Sequence, residues 1–176
     1  MNSPCAVGRP MAPPGSSAVN PSGFGEPDTR RLAIFHSRNE DLSLRQTGAG
    51  VDLRAFLDDL ARQPFVDGAA DCVLSVADWI VLRGHPDPAA PYRGRYRTAL
   101  GRQRLIRKSG GLLALMSDGA ARAGLMETPN PVRGDVGLIV AHGQTIAAIC
   151  LGGRWAIKGD GLVVAPAERL LMAWRV

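Results

Sequence analysis

Two stretches after residue 50 carry apolar residues at helical spacing. The first, residues 52–63, places its apolar side chains on one face of a predicted helix that Pro64 ends; they are Leu53, Phe56, Leu57 and Leu60. The second, residues 73–83, repeats the spacing, and Trp79 widens its apolar stripe. Asp71 stands just ahead of this stripe, where a short carboxylate can accept backbone N–H groups of the first turn. The pattern therefore predicts two helices, the second with a capped start.

The next elements are also predicted to be helices. Thr98 is suited to cap a helix that runs to Ser109, and Gly110-Gly111 ends it. A second helix is predicted over residues 112–125, weakened near Gly119.

From Arg133 the period changes from helical to alternating. Ile146, Ala148 and Cys150 are predicted to face one side of a strand, and the residues between them the other side. Four short strands separated by glycine-containing turns indicate an antiparallel meander, at residues 136–140, 145–151, 154–157 and 162–165. A last short helix is predicted from Pro166 to Met172, followed by an edge strand over residues 174–176. Helices first and strands later predict an α+β domain.

The first fifty residues differ in composition from the rest. They are rich in Pro, Gly, Ser and Asn, and their apolar content is too small to offset the entropy of ordering them. We therefore expect a disordered N-terminal extension over residues 1–50 and one folded domain over residues 51–176.

Composition narrows the class of protein further. Of the 176 residues, only three are cysteines, widely spaced, which argues against a disulfide framework and favours a reducing compartment. No apolar run is long enough to cross a bilayer, and the N-terminus lacks a signal-peptide pattern. These features predict a soluble cytoplasmic protein. The net charge of +5 permits acidic partners without requiring any.

Cys72 is the candidate chemical group, because it falls in the first turn of the helix that follows Asp71. The partial positive charge of a helix N-terminus favours thiolate over thiol, and a thiolate is a nucleophile. The alternative is a small buried hydrophobe, which is the usual role of a free cysteine. The local sequence leaves both interpretations open. Asp71 is interpreted as a helix cap, and since no Cys and His pair has metal-ligand spacing, neither a metal nor another cofactor is predicted.

Seven basic residues and no acidic residue lie between Tyr92 and Lys108. They form either a solvated helix face or a binding patch for nucleic acid or for anionic wall polymers. Only Tyr92 and Tyr96 interleave with them, which gives little support for base stacking. The solvated face is therefore favoured over nucleic-acid binding.

Five motifs in this order resemble a family of uncharacterised proteins often encoded among phage or prophage tail genes. That family is related to the NlpC-type papain-like cell-wall cysteine hydrolases. The motifs are Phe65-x-x-Gly68-x-x-Asp71-Cys72, Arg133-Gly134-Asp135-Val136, Ile149-Cys150-Leu151-Gly152, Asp160-Gly161-Leu162-Val163 and Ala173-Trp174-Arg175-Val176. The resemblance covers about residues 51–176. It implies a papain-like fold with helices packed on a short antiparallel sheet.

The resemblance also implies roles for particular residues. Cys72 matches the nucleophile of the hydrolases, whereas the position of their catalytic histidine holds Ile146, which cannot act as a base. Asp67 replaces an aromatic residue expected in the loop. His142, in the turn before that strand, is the candidate displaced base.

These features lead to three functional hypotheses. The first is a phage-tail component with weakened or lost catalysis, which takes part in assembly or contacts the cell wall; its expected partners are tail proteins or peptidoglycan. The second is an active cysteine peptidase or amidase with Cys72 as nucleophile and His142 as base. The third is a nucleic-acid-binding module that uses the basic stretch from Arg93 to Lys108.

Overall fold

The computed structural model describes residues 52–176. The predicted disordered extension, residues 1–50, lies outside the described residues. Within them the chain forms four helices followed by five strands, which confirms the predicted α+β class. The helices are α1 (Leu53–Arg62), α2 (Cys72–Leu82), α3 (Ala99–Lys108) and α4 (Leu112–Arg122). None of these helices has the length and apolar content that a membrane span needs.

The predicted caps of α2 and α3 are confirmed, and α1 has a cap that the sequence analysis did not predict. Asp52 caps α1, Asp71 caps α2, and the Thr98 hydroxyl accepts the N–H of Gly101 at the start of α3. The helix α4 ends at Arg122, three residues before the predicted end, because Gly124 adopts a left-handed conformation with φ of 69°.

The five strands form one antiparallel sheet. They are β1 (Val136–Ala141), β2 (Gln144–Cys150), β3 (Trp155–Gly159), β4 (Gly161–Ala165) and β5 (Arg169–Trp174). Their order across the sheet is β4-β3-β2-β1-β5, so β2 is the middle strand. The hairpin between β1 and β2 turns through His142 and Gly143, which both have positive φ.

The helix predicted from Pro166 to Met172 is wrong. This segment instead contributes most of β5, which pairs with β1 from Val136↔Trp174 to Val140↔Arg169. Its Ala, Glu and Leu content favours a helix locally, but β1 has a free edge on the side away from β2. Pairing along that edge satisfies the backbone of β1 and buries Ala173 and Trp174 on opposite faces of the sheet.

The alternation predicted for β2 is confirmed, and it divides the core in two. Ala147 and Ile149 belong to the larger cluster, which includes the apolar faces of α1, α2 and α4. Ala148 and Cys150 belong to a second cluster on the opposite face, with members from all five strands. The helix α2 therefore packs on the face of the middle strand that carries Ala147, and this packing positions the site described next.

Candidate functional site around Cys72

A buried carboxylate organises the start of α2. One oxygen of Asp71 accepts the N–H groups of Val73 and Leu74, each at 3.1 Å, and the other accepts the N–H of Gly68 at 3.0 Å. The fourth donor is the phenol of Tyr96, at 2.6 Å. Since a carboxylate offers about four acceptor positions, these donors saturate it. Asp71 is therefore a helix cap, as the sequence predicts, and it also anchors Gly68 and Tyr96 to the start of α2.

Gly68 allows the backbone of Tyr96 to approach it closely. Gly68 has φ of 77°, and a side-chain carbon at this position would lie 1.8 Å from the carbonyl oxygen of Tyr96. Only glycine tolerates both the left-handed backbone and this approach. Burial, together with the hydrogen bond to Asp71, raises the pKa of the Tyr96 phenol, so the hydroxyl stays protonated and acts as the donor.

Cys72 lies beside this carboxylate, in the first turn of α2 and partly packed against the larger core cluster. Burial, together with the negative charge of Asp71, raises the pKa of its thiol to about 11. Arg102 and the backbone N–H groups of Ala147 and Val73 act in the opposite direction but do not compensate. Of the two interpretations that the sequence leaves open, the raised pKa favours the neutral buried thiol, because desolvation and a neighbouring anion outweigh the helix dipole.

An ion pair covers the same site from α3. Arg102 forms an ion pair with Asp67, and both side chains are about four-fifths buried. The guanidinium carbon of Arg102 lies 5.2 Å from the ring centre of Phe65, within the range of a cation–π contact. Asp67, which stands where the resemblance implies an aromatic residue, thus links the loop before α2 to α3.

The structure does not bring His142 to Cys72. The Cys72 sulfur faces the backbone N–H of Ala147, near the middle of β2, whereas His142 is exposed at the tip of the β1–β2 turn. At about 3.3 Å per residue, the turn lies more than about 10 Å beyond Ala147. The predicted Cys72–His142 pair therefore does not form in this structure.

The other histidines offer no replacement within the described residues. His85 follows the C-terminal end of α2, an 11-residue helix, so it lies about 16 Å along the axis from the end that carries Cys72. His36 lies outside the described residues.

Ile146 also does not lie where the resemblance implies that the catalytic residue would lie. Its side chain packs against the second cluster, on the face of the sheet away from α2. The β2 residue on the face toward Cys72 is Ala147. Neither an isoleucine nor an alanine side chain can exchange a proton, so neither residue supplies a base to the sulfur.

The Gly134-Asp135 motif has a structural role, because it contacts both the C-terminal motif and the helix α2. The buried carboxylate of Asp135 accepts the N–H of Val132 at 2.8 Å and that of Val176 at 3.3 Å, and it pairs with Arg175 at 3.3 Å. The indole N–H of Trp79, on α2, donates to the Gly134 carbonyl at 2.7 Å. This motif therefore fixes the C-terminal residues and α2 to the start of β1.

Sequence reasoning missed the role of Lys158. Lys158 is buried, and its ammonium group donates to the carbonyls of Leu60, Gln63 and Gly161. Two of these carbonyls belong to the C-terminal end of α1, where a cation is favoured. The signal in the sequence was a single lysine whose neighbours in its strand are apolar. The alternation of the strand does not by itself show what such a lysine does.

Part of the basic stretch is also structural. Arg93 pairs with Asp78 at 2.7 Å and with Asp87 at 2.6 Å, and this network fixes the loop after α2 to the helix itself. Burial raises the pKa of Asp78, although the positive charge of Arg93 opposes the shift. Over residues 52–176, His, Cys, Asp and Glu side chains do not gather in any group of three or more that could hold a metal ion.

Together these features define the class of the described region: an α+β domain with a capped, helix-terminal thiol packed against the middle strand of an antiparallel sheet. The chain belongs to the family described as a domain of unknown function, DUF6950, whose model matches residues 45–176. No curated protein and no solved structure gives a significant match.

Proposed function

We propose that this protein is a relative of the NlpC-type papain-like cell-wall cysteine peptidases that keeps their scaffold and thiol but does not hydrolyse peptide bonds. In this proposal it is made in the cytoplasm, is incorporated into a phage tail, and serves in assembly or in contact with peptidoglycan. The assignment to a tail rests on the resemblance of the five motifs. The loss of catalysis rests on the geometry of the site.

The observation that carries the proposal is the environment of the Cys72 sulfur. A cysteine peptidase needs a thiolate and a nearby group that protonates the leaving amine. The Cys72 pKa of about 11 keeps the thiol neutral near pH 7, and the sulfur faces the N–H of Ala147 where a base would be needed. Asp71 is saturated by four donors, and the guanidinium of Arg102 cannot take up a proton.

The papain-like assignment draws support from how the elements meet. A helix-terminal cysteine packs on the middle strand of an antiparallel sheet, and a Gly-Asp pair begins the neighbouring strand β1. Direct contacts join the motif segments around Asp135, Cys150 and Trp174: the N–H of Cys150 donates to the Asp135 carbonyl at 2.7 Å, and Trp174 pairs with Val136.

The proposal is tested with the full chain, purified peptidoglycan sacculi and soluble muropeptides. We expect the protein to sediment with sacculi and to release no new amino groups from either substrate. Cys72→Ala should sediment equally well, and so should Cys150→Ala, whose side chain lies on the opposite face of the sheet.

Two outcomes would contradict the proposal. Release of amino groups that Cys72→Ala abolishes and Cys150→Ala retains would establish an active hydrolase, and a parallel loss in His142→Ala would identify the displaced base. Failure to sediment with sacculi would remove the wall-contacting role. Copurification with coexpressed tail proteins then tests the assembly role.

A further inference from the structure

A basic surface remains on α3 after the structural ion pairs are assigned. No acidic residue lies between Asp87 and Asp118, and ion pairs occupy two of the seven basic residues in this interval, Arg93 and Arg102. The other five are exposed, and none of them forms an ion pair with another described residue: Arg95, Arg97, Arg104, Arg107 and Lys108. We propose that α3 binds the phosphate backbone of duplex nucleic acid. This inference does not depend on the function proposed for Cys72.

The helix geometry gathers these charges on one side. At 100° per residue, Arg104 and Lys108 lie about 40° apart on α3, and Arg107 lies beside them. Arg97, which is exposed, immediately precedes the Thr98 cap at the start of the helix. We call these four residues the basic face. Three partly buried residues of α3, Arg102, Leu105 and Ile106, lie on the opposite side, whereas the partly buried Gly101 lies beside Lys108. The helix therefore presents its charges away from the core.

The size of the basic face fits a short length of duplex. The ten residues of α3 span about 15 Å along the helix axis. A duplex of that length carries about nine phosphates, one for each 1.7 Å or so. Three or four cations on such a surface displace a matching number of condensed counterions, and this displacement supplies affinity without base recognition.

The neighbouring side chains favour a duplex over a single strand. Single-strand binding relies on exposed aromatic rings that stack on bases. Here Tyr96 is 7% exposed and bonded to Asp71, while Tyr92 is half-buried with the guanidinium of Arg122 at 5.4 Å from its ring centre. The two aromatic residues of this stretch are therefore occupied inside the fold.

The composition of the face also favours phosphate over an acidic protein. The centre of a protein interface is depleted in charged residues and enriched in apolar ones. On the basic face only Leu100, 55% exposed, could supply an apolar contact. A phosphate backbone requires positive charge alone.

The test measures binding of the full chain to a fluorescently labelled 20-base-pair duplex of arbitrary sequence by anisotropy. Between 50 and 200 mM salt we expect log K to fall against log[salt] with a slope of about −3, which is an affinity loss of about 60-fold. The triple variant Arg97→Gln, Arg104→Gln, Lys108→Gln should bind at least about tenfold more weakly at 50 mM salt, with a slope of about −1 or shallower.

A matched variant controls for net charge. Arg54→Gln, Arg133→Gln, Arg169→Gln removes the same number of exposed cations elsewhere and should bind like the unmodified chain. Leu100→Ser should also leave binding unchanged, since it alters no charge. Circular dichroism confirms that each variant is folded.

The inference is overturned by any of four results. These are salt-insensitive or undetectable binding of the unmodified chain at 50 mM salt, equal losses in the two triple variants, a loss in Leu100→Ser as large as that in the basic-face variant, and equal affinity for polyglutamate. The last two results would instead indicate an acidic protein as the partner.

Discussion

The phenol hydroxyl of Tyr96 donates a 2.6 Å hydrogen bond to the buried carboxylate of Asp71. This bond joins the segment before α3 to the first turn of α2, 25 residues earlier in the chain. It also completes the set of four donors on the carboxylate. The negative charge of Asp71 is thereby kept in the fold beside Cys72, where it disfavours a thiolate.

The first prediction concerns the reactivity of Cys72. With a pKa of about 11, alkylation by iodoacetamide at pH 7.5 should be about 100-fold slower than for cysteine in an unfolded peptide, and its rate should reach half its maximum near pH 11. Peptide mapping by mass spectrometry separates Cys72 from Cys5 and Cys150. A half-maximum below pH 8 would contradict the site described above.

The raised pKa of the Cys72 thiol also makes the stability of the fold depend on pH. The folded state holds the Cys72 proton more tightly than the unfolded state, so its contribution is complete below about pH 9 and is lost as the pH rises toward 11. The free energy of unfolding of the unmodified chain, relative to that of Cys72→Ser, should therefore decline over this interval. Chemical denaturation at pH 8, 9 and 10 measures the difference, and a constant difference would argue against the raised pKa.

The second prediction concerns the Tyr96 hydroxyl. Tyr96→Phe removes one of the four donors to a buried charge, so the free energy of unfolding should fall by about 1.5–3 kcal/mol. Tyr92→Phe is the matched control: the same substitution in the same segment should cost less than about 0.5 kcal/mol. Urea denaturation measures both losses. Similar losses in the two variants would show that the Tyr96–Asp71 hydrogen bond stabilises the fold no more than the Tyr92 hydroxyl does.

The third prediction contrasts two glycines with the same backbone preference. Gly68 and Gly84 have φ of 77° and 92°, but only the side-chain carbon of an alanine at position 68 would collide with the backbone of Tyr96. Gly84→Ala should cost about 1–2 kcal/mol for the left-handed backbone alone. Gly68→Ala should cost more than about 4 kcal/mol or prevent folding. Thermal denaturation compares the two variants. Equal midpoints would rule out the close approach of Gly68 to the backbone of Tyr96.

The fourth prediction concerns Lys158. Lys158→Met keeps the aliphatic stem but leaves three carbonyl groups near the end of α1 without their donor. The expected loss in free energy of unfolding is about 2–4 kcal/mol, with faster amide hydrogen exchange in α1 than in α4. Lys108→Met, on the exposed face of α3, should be neutral within about 0.5 kcal/mol. Unchanged exchange in α1 would contradict the role of Lys158.

Whether a feature could be predicted from the sequence depended on how far apart along the chain the interacting residues lie. The four helices, the caps at Asp71 and Thr98 and the alternation in β2 were predicted because each depends on residues within a few positions along the chain. The final segment was not, since Leu170 to Met172 have helical propensity and become a strand only because β1 presents a free edge.

The site divides in the same way. The position of Cys72 behind the Asp71 cap was predicted from adjacent residues, whereas Tyr96, Arg102 and Ala147 reach it from distant parts of the chain.

The sequence by itself therefore determined the four helices and the first four strands, and that a capped thiol begins α2, because capping and periodicity act locally. Only the tertiary structure decided the protonation of that thiol, the distance of His142 from it and the pairing of the last strand. Those properties depend on desolvation, on charges and on free strand edges that distant segments bring together.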